Sequence, residues 1–214
     1  MTSLSFEVIG ARAEPHAAVP TIVLRLRVNE ASATPVHTVV LRCQVRIEPQ
    51  RRLYGDSEAE RLYELFGERS RWGDSLRPFL WTHTTCNVPA FRDRTEVDLH
   101  LECTYDFEVA ASKYLHALRD GEIPLVLLFS GTIFSQGPGG VQVLPVGWEQ
   151  EARFGLPAPL WHEVMDLYFP SSAWIRIGRD TLDALARFKA GRALATWDQT
   201  VGELLDKAAA IDAL

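Results

Sequence analysis

Apolar and polar residues alternate with period two along the first half of the chain, the pattern of strands that bury one face and wet the other. Ile22, Leu24, Leu26 and Val28 alternate with Val23, Arg25, Arg27 and Asn29. Val39, Leu41, Cys43, Val45 and Ile47 alternate with Val40, Arg42, Gln44, Arg46 and Glu48. Val97, Leu99, Leu101, Cys103, Tyr105 and Phe107 alternate with Glu96, Asp98, His100, Glu102, Thr104 and Asp106. These three runs predict strands over 21–29, 36–48 and 94–106. Shorter apolar runs predict strands at 4–11, 78–86, 123–134 and 141–146, the last two joined by the turn-forming Ser135-Gln136-Gly137-Pro138-Gly139-Gly140.

The wet faces of the three main strands differ in charge. Arg25, Arg27, Arg42 and Arg46 stand on the first two, and Glu96, Asp98, Glu102 and Asp106 on the third. Opposite charges attract across a sheet, so all three strands are expected in one antiparallel sheet with a salt-bridged outer face.

Elsewhere the spacing is helical. Ser57-Glu58-Ala59-Glu60 reads as a capping box with Ser57 at its head, followed by a stripe of Ala59, Leu62, Tyr63 and Phe66 and a stop at Gly67. A helix over 107–119 carries Phe107, Ala111, Tyr114, Leu115 and Leu118 and stops before Gly121. After residue 155 the pattern becomes helical throughout. A helix behind Pro157 and Pro159 turns Leu160, Trp161, Val164 and Leu167 inward and ends at Pro170. A short apolar stretch, Trp174 to Ile177, leads to a helix near 180–190 broken at Gly191. A second capping box, Thr196 to Gln199, opens a helix with Val201, Leu204, Leu205 and Ala208 on one face. Strands first and helices last predict an α+β fold: an antiparallel β-sandwich or curled sheet with inserted helices and a C-terminal helical segment. The expected organisation is a β-rich part over 1–154 with helices of 155–214 packed on it as one structural unit.

Composition narrows the function classes. With 214 residues, 47% hydrophobic, and a net charge of -6, the chain has material for a core and no broad surface for nucleic acid or anionic membrane. No run approaches a bilayer-spanning length, and Met1 to Glu7 lacks the basic and apolar regions of a secretory signal. The expectation is a cytoplasmic protein whose cysteines, Cys43, Cys86 and Cys103, are reduced and buried.

Three constellations could carry chemistry. His83 and Cys86 have ligand-like spacing, but residues three apart on a strand point to opposite faces, so no metal ligand is assigned. Asp98, His100 and Glu102 share one strand face and could serve a hydrolase as a carboxylate-oriented base, although an exposed salt-bridged face accounts for them without catalysis and is the favoured reading. Phe129-Ser130-Gly131-Thr132 lacks the first glycine of a nucleophile elbow, and Gly137 and Gly140 lack the lysine and helix of a phosphate loop. No catalytic or cofactor-binding residue is assigned and no cofactor is expected. The six tryptophans, at 72, 81, 148, 161, 174 and 197, are expected mainly inside, while an exposed cluster would mark a binding surface.

Two resemblances add to this reading. Residues 174–209, with Trp174-Ile175-Arg176-Ile177 before two helices, resemble the ribbon–helix–helix module of DNA-binding antitoxins and repressors. That resemblance would place Trp174 and Arg176 in a major groove and Ile175 and Ile177 in a dimer core. Six bases and six acids between 174 and 212 weigh against phosphate binding there. Thr104 to Ala110, Pro124 to Phe134 and the C-terminal helices resemble an uncharacterised bacterial family whose members are sometimes encoded beside nickel–iron hydrogenase genes. The resemblance implies a protein partner and a part in assembling or stabilising an enzyme complex. Sheet followed by helices is similar in architecture, without a shared motif, to SecB-like export chaperones.

Overall fold

The structure, a computed structural model, describes residues 3–32, 34–104, 109–172 and 175–212. It divides into two compact units, Met1–Trp174 and Ile175–Leu214. In the first unit run β1 (Leu4–Ala13), β2 (Thr21–Glu30), β3 (Val36–Ile47), α1 (Asp56–Arg61), α2 (Tyr63–Phe66), α3 (Trp72–Ser75), β4 (Phe79–Val88), β5 (Arg94–Glu102), α4 (Ala110–Ala117), β6 (Glu122–Gly137), β7 (Gly140–Pro145), β8 (Glu151–Pro157) and α5 (Ala158–Tyr168). The second unit is a hairpin of α6 (Arg179–Gly191) and α7 (Trp197–Asp212). The fold is α+β.

The strands form two antiparallel sheets, β1-β2-β5 and β4-β3-β6-β7, with β8 also paired to β6. β8 follows Glu122 to Leu128 of β6 and β7 follows Thr132 to Gly137, so the two share one edge of β6 end to end. The inward residues of both sheets meet in one core. Phe6 of β1 stacks on Phe129 of β6 with ring centroids 4.3 Å apart. Ile22, Leu24, Leu26, Leu41, Val45, Leu99 and Leu127 are fully buried. At one edge the Thr84 hydroxyl of β4 donates to the His100 carbonyl of β5 at 2.9 Å, tying the sheets together.

β6 is long and must cross directly over β3. Gly131 faces Leu41 there with φ 147°, and a Cβ at this position would lie 2.1 Å from the Val40 carbonyl oxygen. Only glycine fits that approach.

The helices inserted between strands close over an aromatic cluster. Tyr114 of α4 meets Phe66 and Phe79 edge-on, with centroids 6.1 and 5.6 Å away. The Tyr54 hydroxyl donates to the Pro49 carbonyl at 2.7 Å, which leaves Tyr114 to donate to Tyr54 at 2.6 Å. Arg52 pairs with Glu58 and donates to the Asp120 and Glu122 carbonyls, pinning α1 to the loop before β6.

Several expectations are corrected. β3 does not join β2 and β5: it pairs with β4 and β6 in the other sheet, so Arg42 and Arg46 lie far in register from Glu96 and Asp98. The long apolar run of β6 needs a central position, and β3 supplies its neighbour. The first helix begins two residues earlier than the expected box, with the Gly55 amide donating to Glu58 at 3.1 Å in place of Ser57 and Glu60. Tyr63 is exposed where it was expected inward, and so is Leu167 of α5. β8 was not anticipated, although Ala152, Phe154 and Leu156 alternate along it. Asp106 and Phe107 lie outside the described residues.

Two substitutions test this core. Leu24→Ala, at a site with no exposure, is expected to lower the unfolding free energy by about 2–5 kcal/mol in urea titrations. Gly131→Ala is expected to cost more than about 1 kcal/mol although it adds apolar surface, because it strains the β3–β6 crossing.

Candidate functional site

The outer face of β1-β2-β5 is a lattice of ion pairs. Arg27 bridges Glu7 at 3.1 Å and Glu96 at 3.2 Å, and Arg25 bridges Asp98 at 2.9 Å and Glu96 at 3.3 Å. The register Arg25↔Asp98 and Arg27↔Glu96 makes these direct cross-strand neighbours. A bulge between Val8 and Gly10 re-aims β1, and Arg12 then reaches Asp98 at 3.3 Å. The hydrogen bond from Arg25 holds the Asp98 carboxyl below its usual range, and bonds from Arg25 and Arg27 do the same for Glu96.

This geometry separates the three residues nominated for acid–base work. Asp98 is engaged by two guanidiniums, and His100 is exposed opposite Val23. Glu102 lies at the strand end, where with Val19, Trp81, Val109 and Phe169 it lines a cleft of about 490 Å³. The three do not converge on a common point.

Cys43 is buried, Cys86 half-buried and Cys103 buried, all as free thiols. Burial pushes the Cys43 and Cys103 thiols up to about 12 and Cys86 to about 11. His83 lies exposed on the opposite face of β4 from Cys86. Among the described residues no group of three His, Cys, Asp or Glu side chains is placed to hold a metal ion.

The tryptophans divide. Trp72 and Trp161 are buried and Trp81 is half-buried, while Trp148 is 94% exposed and Trp197 47% exposed. Trp148 sits between β7 and β8, where the shared edge leaves β6. Trp174 lies outside the described residues.

In the second unit, Ile175 to Ile177 form no strand, so the ribbon of the ribbon–helix–helix resemblance is missing from the described residues. The two helices are present. α7 opens with the expected capping box: the Gln199 amide donates to the Thr196 hydroxyl at 3.1 Å, and the Thr196 amide donates to the Gln199 side chain at 3.3 Å. Arg192 pairs with Glu203, and Lys207 with Glu203 at 2.9 Å, while Phe188 lies under both cations. This seam holds the hairpin together but buries little. No residue of α6 is buried. Ile175, Leu182, Trp197, Val201, Leu205 and Ile211 are all exposed. Along α7, Trp197, Val201, Leu204, Ala208 and Ile211 follow one another at alternating steps of four and three, the seam of a coiled coil. The seam residues carry a heptad signal that counting Val201, Leu204, Leu205 and Ala208 as one face leaves unread.

A second feature, without a sequence signal, joins α4 to α5. His162 has Leu118 O at 2.7 Å from Nε2 and Arg119 Nη1 at 3.1 Å from Nδ1. The carbonyl only accepts and the guanidinium only donates, so the ring is neutral with its proton on Nε2. Burial, more than the nearby Arg119, holds His162 below its usual value, and the same holds for His116, whose ring centroid is 6.0 Å away.

The chain belongs to the family of unknown function DUF6084, whose model matches residues 1–213. No curated protein matches it. Among solved structures it is similar to the CARDB domain of a Pyrococcus furiosus protein, in complex with di-metal ions, at 10% identity over 73% of this chain and 92% of that one, with a TM-score of 0.27. It is also similar to a Kluyveromyces marxianus β-glucosidase at 8% identity over 73% of this chain, with a TM-score of 0.26, and spans 15% of that enzyme's length. A late embryogenesis abundant protein matches at 12% identity over 72% of each chain, with a TM-score of 0.31.

The histidine pair has a pH consequence. Because burial lowers both values, the folded state binds fewer protons than the unfolded one just below the ordinary histidine value. Stability is therefore fully present above about pH 6.5 and falls as the pH drops below it. Urea midpoints measured across this range are expected to fall on acidification, and His162→Gln is expected to flatten that fall.

Proposed function

We propose that this protein is a non-enzymatic accessory protein of the bacterial cytoplasm that binds a protein partner through its C-terminal hairpin and assists the assembly or stability of an enzyme complex such as a hydrogenase. The observation that carries this reading is the apolar seam of α7, with Trp197, Val201 and Ile211 exposed along it (Val201 40%, Ile211 71%) and Leu205, 64% exposed, flanking it one turn after Val201. Two helices of this size bury too little against each other to be stabilised by their own contacts. A regular apolar stripe on such a helix is the kind that lays into a partner's groove or along a partner's helix. The first unit supplies a folded body of two sheets with its own core. Among the described residues no helix is long and apolar enough to cross a membrane.

Tagged protein purified gently from its own host is expected to carry a stoichiometric protein partner. Val201→Glu with Leu205→Glu is expected to reduce that partner by about tenfold or more, since both positions lose apolar contact area. The unfolding midpoint should stay close to that of the parent, because both side chains are exposed. Partner recovery unchanged by the double substitution, or a parent protein that carries no partner, would contradict the reading.

A further inference from the structure

The outer faces of the two sheets are not alike. On β1-β2-β5, Arg12, Arg25 and Arg27 are all answered by carboxylates. On β4-β3-β6, Arg42 has no ion-pair or hydrogen-bond partner among the described residues, and Arg46 reaches only the Pro78 carbonyl at 3.4 Å. The strand switch that puts β3 into the second sheet removes both arginines from the acids of β5.

What surrounds Arg42 is a set of hydrogen-bond donors. In register it stands between Thr85 of β4 and Ser130 of β6, and Gln44, next on the same face, stands between His83 and Leu128. These side chains line a groove of about 380 Å³ with no carboxylate in its lining. That size is in the range of small-molecule sites. Among the described residues, the Gln44, His83, Thr85 and Ser130 side chains make no hydrogen bond to another protein group.

We propose that this groove binds the phosphoryl group of a small organic phosphate. Arg42 provides the charge and a planar fork that donates two parallel N–H bonds to two oxygens. The Thr85 and Ser130 hydroxyls flank it and donate to the remaining oxygen, and the Gln44 amide extends the donor row. A planar carboxylate would be satisfied by the guanidinium alone, whereas a tetrahedral dianion uses the donors on both sides. Leu128, half-buried at the same level, offers an apolar surface to the organic part. Binding here involves neither the ion-pair lattice nor the C-terminal hairpin.

Titration of the full chain with phenyl phosphate, at ionic strength held constant with sodium chloride and followed by amide NMR shifts, tests the assignment. Saturable shifts are expected at Arg42, Gln44, His83, Thr85 and Ser130. Arg42→Gln is expected to weaken binding by about tenfold or more, as loss of a charge-assisted bidentate contact does. Arg27→Gln, on the opposite sheet, is expected to leave it unchanged. Inorganic phosphate is expected to bind the same residues more weakly, since it lacks the group that meets Leu128. Absence of saturation, shifts confined to other residues, equal weakening by both substitutions, or tighter binding of inorganic phosphate would overturn the proposal.

Discussion

Everything in the first unit depends on the close packing of two sheets around one apolar layer. The Phe6–Phe129 stack and the buried leucines of β2, β3, β5 and β6 set the distance between the sheets. That packing requires each strand to keep its alternation in phase, because a slip of one residue would turn every buried side chain outward. It also dictates the glycine at 131, where β6 comes too close to β3 for any side chain. The inserted helices add a second apolar layer, centred on Tyr114, whose hydroxyl is satisfied by Tyr54 so that its burial leaves no polar group stranded.

Much of this was legible in the residues. The alternation of β2, β3 and β5 gave their inward faces directly, and the opposite charges at Arg25, Arg27, Glu96 and Asp98 marked β2 and β5 as neighbours. Arg42 and Arg46 carried the same local signal and were placed wrongly, because charge alternation says that a strand wants an acidic neighbour and not which strand wins it. Topology decided: β6 is the long apolar strand and takes β3 beside it. Capping shows the same limit. Thr196 and Gln199 cap α7 as their spacing predicts, since nothing distant competes. Ser57 and Glu60 do not: Glu58, held by Arg52 six residues before it, accepts from the Gly55 amide and sets the helix start at Gly55.

The candidate sites were less legible than the fold. Asp98, His100 and Glu102 share a strand face, yet one is consumed by arginines, one is open to water and one turns to the cleft at the strand end. Shared parity on a strand does not make a site; convergence does. Trp148 gave no sign of its exposure, because that depends on β7 and β8 dividing one edge of β6 between them. The two surfaces proposed for binding are both left over from folding: a groove at Arg42 whose lining holds no carboxylate, and a helical hairpin whose apolar residues are largely exposed.

The central claim is that α6 and α7 present their apolar surface to another protein. Hydrogen–deuterium exchange of the intact chain, alone and with the co-purified partner, tests it directly, since exchange reports local opening. The account predicts fast exchange across 179–212 in the isolated protein, slow exchange in the strands of the first unit, and protection of α7 on partner binding. Strong protection of α7 in the isolated chain, unchanged by the partner, would contradict it.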